Sequence, residues 1–438
     1  MHNFPQGLYG ALVLGISISI PFSVAHADFL DDTSVSLGMR NAYIDRDFHQ
    51  SDAPKSRVGS WSQGFDLRIN SGYTEGPVQF GLDVDSQWAY RLDGGGGRGP
   101  DSVLPYHASS QSQARVYGRT GVTGKARFSK TELKVGELRP MLPVAYIDDS
   151  RQLVTTYQGA LIESKEIDGL SVTAGRITEI ASRESSNREK IYLMTGSGRV
   201  ARSDGLNFAG GTYELSKSLS ETYFYGQLED IYKQNYLGLA HVLPFGDGYS
   251  LKTDLRYYHN TEDGAALYGD IDNQAYGVMT ALKKGGHTFT IAYQRMLGDD
   301  GFPVFNGYAP QPYLVNWSTL GFFKPNESSW QARYDYDFAA SGIPGLRFMT
   351  RYMRGTGIDR GDNLDKNVES ELNLVLNYVI QSGPLAGLGF EWRHIDVKTR
   401  YGSATLAGAD YDENRLITTY TYKFWNPPKA LHSGASCT

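Results

Sequence analysis

Hydrophobic and polar residues alternate with a period of two along much of the chain. The alternation is clear over residues 78–88, 330–338 and 371–380. Successive side chains of a β-strand point to opposite faces, so each stretch predicts a strand with one apolar and one polar face. The stretch 78–88 is about ten residues long, which is the length that a tilted strand needs to cross a bilayer.

A soluble β-sandwich is the alternative, because its strands also have one apolar face. Sandwich strands are usually shorter, about five or six residues. Here Arg333, Asp335 and Asp337 gather on one face of a single strand, and aromatic residues lie near the ends of the other face. This distribution is typical of a wall between water and lipid. The sequence therefore predicts an all-β fold, a closed antiparallel transmembrane β-barrel.

Connections between the predicted strands alternate between tight and long, as the periplasmic turns and extracellular loops of such a barrel do. The tight connections are rich in Gly, Pro, Ser or Lys and cover residues 72–76, 129–131, 283–286, 341–345 and 382–387. The long connections cover residues 91–112, 140–158, 176–206, 297–329, 355–368 and 399–412. Long loops of a barrel usually form lids or constrictions, so we expect extracellular loops that fold inward.

The first residues have the pattern of a signal peptide. Residues 8–20 are apolar, Pro21 interrupts the run, and Ala25-His26-Ala27 has the small-x-small pattern that signal peptidase accepts. The apolar run is shorter than the roughly 18 residues of a membrane-spanning helix. We therefore predict a signal peptide over residues 1–27 and, after its cleavage, insertion into the outer membrane of a Gram-negative bacterium.

The predicted barrel extends over residues 28–424. Its last strand, residues 415–424, carries Leu, Tyr and Phe on one face and Arg, Thr and Lys on the other, and we expect it to close the barrel. Residues 425–438 follow, and they contain Pro427-Pro428 and the only cysteine of the chain, Cys437. We predict that these residues form a disordered C-terminal extension.

Composition narrows the possible functions. The 438 residues have a formal net charge of −6 and are 40% hydrophobic, which is too polar for membrane-crossing helices and too weakly charged for a nucleic-acid-binding protein. The sequence has no GxSxG, HExxH or Cys-His motif, so we expect no catalytic residue, no metal and no cofactor. The alternative is an outer-membrane β-barrel hydrolase of the lipase or protease type, with Asp230 and His394 as the candidate pair.

Several segments are similar to one protein family. They are residues 38–47 (GMRNAYIDRD), 125–137 (KARFSKTELKVGE), 227–236 (QLEDIYKQNY), 329–336 (SWQARYDY), 342–352 (GIPGLRFMTRY), 378–384 (YVIQSGP) and 413–416 (ENRL). Together they resemble the OprD-type porins, the outer-membrane carboxylate channels. The resemblance implies 18 strands, inward-folded loops three, four and seven, a row of basic side chains along the pore, and a monomer or weak trimer surrounded by outer-membrane lipid.

Strand parity places ten basic side chains on the predicted polar faces: Arg40, Arg68, Arg127, Arg333, Arg347, Arg351, Arg393, Arg415, Lys125 and Lys252. Arginine suits carboxylates because its planar fork donates two parallel hydrogen bonds and stays charged. The positions that match the family's motifs, and that we predict to form the basic row, are Arg40, Arg127, Arg351, Arg393 and Arg415. Glu391 stands where the family often has another arginine. Alternatively, the arginines only neutralise acidic neighbours such as Asp335, Glu371 and Glu391.

Residues 140–158 correspond to the family's third loop, which folds into the barrel. Ser150 and Arg151 match the small polar residue and the arginine of that loop. A pore needs several weak binding sites in series, because a solute must leave each site as well as enter it. We predict that Ser150 and Arg151 help to form the narrowest point of this series.

Two classes of small carboxylate fit the resemblance, namely aromatic or cyclic acids and basic amino acids. A basic amino acid needs acidic partners for its cationic end, and Asp148, Asp149 and Glu179 lie in candidate loops. The same three residues are equally compatible with a solvated surface. Specificity resides in the loops, which diverge most within a fold. We favour aromatic and cyclic acids as the substrates.

Overall fold

The computed structural model describes residues 26–50, 53–94, 96–194, 200–306, 312–360, 367–401 and 410–425. Most of these residues belong to one large antiparallel sheet, in which eighteen strands are long. These strands are β1 (Ser34–Phe48), β2 (Arg57–Asn70), β3 (Gln79–Asp93), β4 (Val116–Phe128), β5 (Thr131–Leu138), β6 (Thr156–Ser164), β7 (Leu170–Ala181), β8 (Leu206–Ser216), β9 (Leu219–Leu228), β10 (Tyr232–Phe245), β11 (Tyr249–Glu262), β12 (Asp272–Lys284), β13 (His287–Leu297), β14 (Ser328–Asp337), β15 (Leu346–Thr356), β16 (Val368–Val379), β17 (Gly389–Arg400) and β18 (Asp410–Trp425).

Each long strand pairs with its neighbours in the sequence, and the last strand pairs with the first. β18 runs antiparallel to β1 from Val35↔Trp425 to Phe48↔Tyr411. Because this pairing joins the two ends of the sheet, each of the eighteen strands has two partners and no long edge stays open. The described residues therefore form a closed antiparallel barrel of eighteen strands, as predicted.

The apolar faces of the strands point outward. In β14, Trp330 and Ala332 are exposed, whereas Ser329 and Gln331 are buried inside the barrel. The exposed fraction of Trp330 is 44%. Contact with lipid explains such exposed apolar side chains, because the hydrocarbon of the bilayer takes the place of a protein core. The polar faces, with the predicted basic residues, line the interior.

Short turns connect the strands at one rim. Between β14 and β15 the turn contains a 3-10 helix, Phe338–Ser341. Asp337 caps this helix by accepting a hydrogen bond of 3.0 Å from the Ala339 N–H. Gly342 ends it with a φ of 85°, a conformation that favours glycine. One further helix, His26–Asp31, precedes β1. In the described ranges no helix is long and apolar enough to span a membrane.

Longer loops leave the opposite rim, and several of them fold inward. Numbered in chain order, they include loop 2 (94–115), loop 3 (139–155), loop 4 (182–205) and loop 7 (298–327). They contain short strands of their own, Tyr106–His107, Ser112–Gln113, Met141–Leu142, Ala145–Tyr146, Glu189–Lys190, Tyr192–Met194 and Val200–Arg202. The described parts of loops 3, 4 and 7 fold inward, as the resemblance to the OprD-type porins implies.

Loops 3 and 4 are shorter than predicted. β6 begins at Thr156 and β7 continues to Ala181, and the two strands stay paired as far as these residues. Tyr157 and Ile180 stand opposite each other in this pairing, and both are fully buried. Because inward-folded loops cover these two side chains, the apolar packing extends the strands beyond the predicted boundaries.

The last strand differs in length from the predicted one. β18 begins at Asp410 and includes Trp425, so it is longer at both ends than the predicted strand over residues 415–424. Residues 1–25 and 426–438 lie outside the described residues. The signal peptide over residues 1–27 and the disordered extension over residues 425–438 therefore stay predictions, although Trp425 itself belongs to the barrel.

The interior of the barrel has two sides. On the packed side, a large apolar cluster joins loops 3, 4 and 7 to inward side chains of β5 to β13, such as Leu206 and Tyr258. On the arginine side, which we define as the walls β14 to β18 and β1, the inward residues are mainly polar, with a small apolar cluster around Ile395. Apolar packing holds the loops against the packed side. The space that is open to water and solutes therefore lies next to the arginine side.

Candidate functional site

Loop 3 crosses the lumen and is held at both ends of its path. On the packed side, the Tyr258 hydroxyl of β11 donates to the Pro143 carbonyl oxygen, with a distance of 3.0 Å. At the other end, Gln152 Nε2 donates to Ser62 Oγ of β2, with a distance of 2.7 Å. Because both ends are bonded to the wall, the loop stays across the pore and narrows it.

Loop 7 forms a second inner wall. Its segment 316–320 is bonded to inward side chains of β13, β14, β15 and β16. Gln294 accepts from the Asn316 N–H at 3.1 Å, and Glu371 accepts from the Leu320 N–H at 2.8 Å. A buried backbone N–H needs a partner, so these polar side chains of the wall hold the loop in one position.

A cavity of about 410 Å³ lies between loop 3, loop 7 and the arginine side. The residues that line it include Arg40, Arg393 and Arg415 from three strands, Asp149 and Ser150 from loop 3, and Trp317 from loop 7. Strand parity explains the arginines, since each of them stands on the inward face of its strand. The structure therefore brings four predicted site residues together: Arg40, Ser150, Arg393 and Arg415.

The three arginines of this cavity differ in how their charge is balanced. Arg393 pairs with Glu391, two residues earlier on β17, with 2.9 Å between Nη2 and Oε1. Arg415 pairs in the same way with Glu413 on β18. Arg40 forms no ion pair with any described residue and donates to carbonyl oxygens of loop 3 instead. Pairing with acidic neighbours, the alternative interpretation, therefore applies to Arg393 and Arg415 and not to Arg40.

Arg40 and Arg393 keep hydrogen-bond donors that the protein does not use. Arg40 Nη1 donates to the Asp149 carbonyl oxygen at 3.0 Å, and Nη2 to the Ser150 carbonyl oxygen at 3.4 Å. The Nε atoms of Arg40 and Arg393 are buried, and neither has an acceptor within the described part of the chain. A buried donor without an acceptor costs about 1–3 kcal/mol. A small movement of either side chain that exposes its Nε would therefore let an anion accept from it and relieve this cost.

Arg351 lies behind loop 7 and is not among the residues that line the cavity. Its Nη2 donates to Ser318 Oγ at 2.6 Å, and its Nη1 donates to the Trp317 carbonyl oxygen at 3.3 Å. Arg333 stands opposite Arg351 on β14, but it is bonded to Asp335, with 2.6 Å between Nη2 and Oδ1. Arg351 therefore positions loop 7, and Arg333 does not.

Arg127 is separate from the other predicted residues. It is the last residue but one of β4, at the rim with the short turns. Its Nε donates to Gln79 Oε1 at 2.8 Å, and its Cζ lies 4.0 Å from the centroid of the Tyr73 ring. The structure therefore places Arg127 at the periplasmic rim, away from the cavity that holds Arg40.

Ser150 and Arg151 are neighbours in loop 3, but they face different ways. Ser150 lines the cavity, and its hydroxyl accepts from Arg183 Nη1 of loop 4 at 2.9 Å. Arg151 does not line it, and its Nε donates to the Ser102 carbonyl oxygen of loop 2 at 2.7 Å. Partial burial, with a smaller effect of the nearby Arg415 charge, lowers the pKa of Arg151 to about 9. Arg151 is therefore charged at neutral pH.

A larger cavity of about 570 Å³ lies on the other side of loop 3. Asp85, Glu137 and Arg139 are among the residues that line it. Arg139 is bonded to Asp85 and, at 2.8 Å, to Asp66, while Arg188 of loop 4 is 2.6 Å from Glu137. Asp85 and Glu137 are therefore paired with arginines, unlike Arg40 in the smaller cavity, which has no ion-pair partner among the described residues.

Comparison with known proteins assigns the family. Residues 27–424 match the family model described as "outer membrane porin, OprD family". The chain belongs to the OprD family. Its curated relatives include the porin-like protein GalP of Pseudomonas putida strain KT2440, which is 36% identical over 92% of this chain and 95% of the relative. The protein is therefore an outer-membrane porin channel of a Gram-negative bacterium, and the predicted family and location are confirmed.

Solved structures of similar porins have the same fold. Pseudomonas aeruginosa OccK9 (OpdG) is 38% identical and matches with a TM-score of 0.85 over 90% of this chain and 99% of its own. Pseudomonas aeruginosa OpdK, crystallised with vanillate, is 34% identical and matches with a TM-score of 0.82 over 90% of this chain and 100% of its own. The eighteen-stranded closed barrel of this OprD-family porin is therefore shared with these channels.

Several residues that shape the site of this porin could not be, or were not, predicted from the sequence. Glu413 pairs with both Arg415 and Arg46, and its spacing of two residues from Arg415 could have indicated the first pair, since residues i and i+2 share a face of a strand. Trp317 lines the cavity and Gln294 holds loop 7. No local pattern marks these two residues, because their roles depend on contacts between the loop and distant strands.

The hydrolase alternative receives no support from its two candidate residues. Asp230 lies between β9 and β10, and its Oδ1 accepts from the Ala265 N–H at 3.0 Å. His394 stands on the outer face of β17, where its Nδ1 lies 3.2 Å from Asn414 Oδ1 and its ring stacks on Trp392. The two side chains have different neighbours and do not form a catalytic pair in this OprD-family porin.

Proposed function

We propose that this porin admits small carboxylates by passive diffusion, and that Arg40, Arg393 and Arg415 guide them along the arginine side. One observation carries the proposal: three arginines from three strands converge on one cavity between loops 3 and 7. Guanidinium groups bind carboxylates through paired, charge-assisted hydrogen bonds. The buried Nε donors of Arg40 and Arg393, which lack acceptors among the described residues, support this assignment.

Partial neutralisation of the arginines suits a channel. A solute must leave each site soon after it enters, so a pore needs weak sites in series and not one tight pocket. Glu391 and Glu413 partly offset the positive charges of Arg393 and Arg415, while Arg40 has no carboxylate within ion-pair distance among the described residues. We propose that Arg40 binds the carboxylate most strongly. The other two arginines bind it more weakly and release it along the pore.

The remaining predicted residues have supporting roles in this proposal. Ser150 accepts hydrogen bonds from Arg40 and Arg183 and so positions loop 3 at the edge of the cavity. Arg151 holds loop 3 against loop 2, and Arg351 holds loop 7 in place. Arg127 lies at the periplasmic rim, where a carboxylate leaves the pore. The pore lies within a single closed barrel, which is compatible with a monomer or weak trimer.

Aromatic and cyclic acids are the substrates that we favour. The related OpdK was crystallised with vanillate, an aromatic acid. A basic amino acid would need a free carboxylate of the channel, but Asp148 is bonded to Arg183 at 2.5 Å. This pairing removes one of the acidic residues that could have bound an ammonium group.

Liposome swelling tests the proposal. Butyrate and butyramide have nearly the same size and differ in charge, so the ratio of their influx rates measures selection for the carboxylate. We expect the wild-type porin to prefer butyrate, and Arg40→Gln or Arg393→Gln to reduce the ratio roughly fivefold, because a solvated ion pair contributes up to about 1 kcal/mol. Arg333→Gln is the matched control, since Arg333 is not among the residues that line the cavity and its replacement should leave the ratio nearly unchanged. Equal influx of both solutes in the wild-type porin would contradict the proposal.

A further inference from the structure

We infer that Trp317 is a specificity-determining residue, which favours planar ring acids over aliphatic acids of the same charge. Trp317 of loop 7 lines the cavity together with Arg40, Arg393 and Arg415. The inference rests on the proposed carboxylate function and adds the part of the solute that the arginines do not contact. When the arginines hold the carboxylate of an acid, the apolar part of that acid lies in the same cavity. Trp317 of loop 7 is an aromatic residue that it can contact there.

The backbone around Trp317 is held from several directions. The preceding residue, Asn316, is fully buried, and Gln294 both accepts from its N–H at 3.1 Å and donates to its carbonyl oxygen at 3.2 Å. The Trp317 carbonyl oxygen accepts from Arg351 at 3.3 Å. A segment with this many bonds to the wall has few alternative positions, so the indole is presented to the cavity in a defined place.

The Trp317 side chain has a different environment on each side. On one side it packs against the large apolar cluster of the packed side, which includes Leu314. On the other side it contributes to the cavity. Packing against the cluster on one side restricts the rotation of the indole, so we expect its other face to meet a solute in the cavity.

This combination recognises a flat ring that carries a carboxylate. Aromatic rings attract each other in offset or edge-to-face arrangements beyond the effect of simple burial. The volume of about 410 Å³ is within the usual range for small-molecule sites, so a single-ring acid fits. An aliphatic acid has the same charge for the arginines but no ring for Trp317, so it should partition into the cavity less and cross the pore more slowly.

The experiment compares benzoate with butyrate in liposome swelling. In the Trp317→Met variant, which keeps an apolar side chain and loses the ring, we expect the benzoate-to-butyrate influx ratio to fall roughly two- to tenfold. Trp317→Phe keeps a ring and should retain at least half of the wild-type ratio. Trp330→Leu is the matched control, because Trp330 faces lipid and is 44% exposed, and its ratio should equal that of the wild-type porin.

Two outcomes separate this inference from the proposed function. If Trp317→Met and Trp317→Phe both keep the wild-type benzoate-to-butyrate ratio, the role of Trp317 is wrong, even when butyrate is still preferred to butyramide. If the wild-type porin does not prefer butyrate to butyramide, the carboxylate function itself is wrong. The chloride conductance of each variant shows whether loop 7 keeps its position. Should Trp317→Met change this conductance, the ratio in Trp317→Phe decides, and a ratio below half of wild type would overturn the inference.

Discussion

The packed side and the arginine side of the barrel use the same strand geometry for opposite purposes. On the packed side, inward residues such as Tyr157, Leu206 and Tyr258 are buried under loops 3, 4 and 7. On the arginine side, inward residues such as Arg40 and Arg393 line an open cavity. Apolar burial is non-directional and fills space, whereas guanidinium groups remain able to bind a passing anion. The comparison indicates that the pore lies where the apolar packing between loops and strands ends.

Tyr258→Ala should have the largest effect on stability and conductance, because it removes a ring from the apolar cluster of the packed side. The ring of Tyr258 contacts Tyr236 and Phe302, with centroids 4.7 and 5.0 Å apart, and its hydroxyl holds Pro143 of loop 3. We expect the free energy of unfolding to fall by about 3–5 kcal/mol, as for other large-to-small changes in a core. Single-channel conductance should rise, because loop 3 loses an anchor.

Tyr258→Phe is the control for this change, since it removes only the hydroxyl. We expect it to lower the free energy of unfolding by about 1 kcal/mol. Urea unfolding and planar-bilayer recordings measure the two effects. If Tyr258→Ala destabilises the barrel but leaves the conductance unchanged, the packed side does not set the width of the pore.

Arg351→Gln tests whether the arginine side also positions a loop. The change removes donors to the Trp317 carbonyl oxygen and to Ser318 Oγ, so loop 7 should become easier to displace, at a cost of about 1–3 kcal/mol. We expect more open-channel current noise and faster proteolysis within loop 7. Arg333→Gln, on the facing strand, should show neither effect. Equal noise in both variants would mean that Arg351 does not hold loop 7.

Glu327→Gln should change how stability depends on pH. Glu327 is buried at the end of loop 7, where burial and the negative charge of Glu369 raise its pKa from 4.5 to about 8, despite the nearby Lys324. Lys324 and the Tyr401 hydroxyl are both bonded to Glu369. A carboxyl with a raised pKa binds its proton more tightly in the folded protein, so stability should fall as the pH rises from about 4.5 through about 8.

The Gln variant cannot ionise and should lack this fall. We expect it to be more stable than the wild-type porin at pH 9 by at least about 1 kcal/mol and to differ less at pH 5. Thermal unfolding at the two pH values measures the difference. Parallel pH profiles of the two proteins would show that Glu327 is not responsible.

Arg127→Gln should have the smallest effect, because Arg127 lies outside the cavity. Its contacts are Gln79 and the ring of Tyr73, both at the periplasmic rim. We expect a shift of ion selectivity smaller than that of Arg40→Gln and a change in unfolding free energy within about 0.5 kcal/mol. Reversal potentials in a salt gradient measure the selectivity. A larger shift for Arg127→Gln than for Arg40→Gln would move the main selective site to the rim.

The sequence predicted the part of this structure that depends on local rules. Strand parity was enough to place Arg40, Arg393 and Arg415 on inward faces, because alternation needs only neighbouring residues. The strand number came from the family resemblance. Parity could not predict that Arg151 contacts Ser102, which is 49 residues away, since that contact depends on how two loops pack. For the same reason the roles of Arg351 and Trp317 emerged only from the folded chain.

The most direct test of the account is a crystal structure of the porin with 4-iodobenzoate, in which the anomalous signal of iodine marks the position of the solute. We predict an iodine peak in the smaller cavity beside Trp317, with the carboxylate toward Arg40 and Arg393. A peak confined to the larger cavity beside Asp85 and Glu137 would contradict the account, because the path of the solute would then avoid the arginine side.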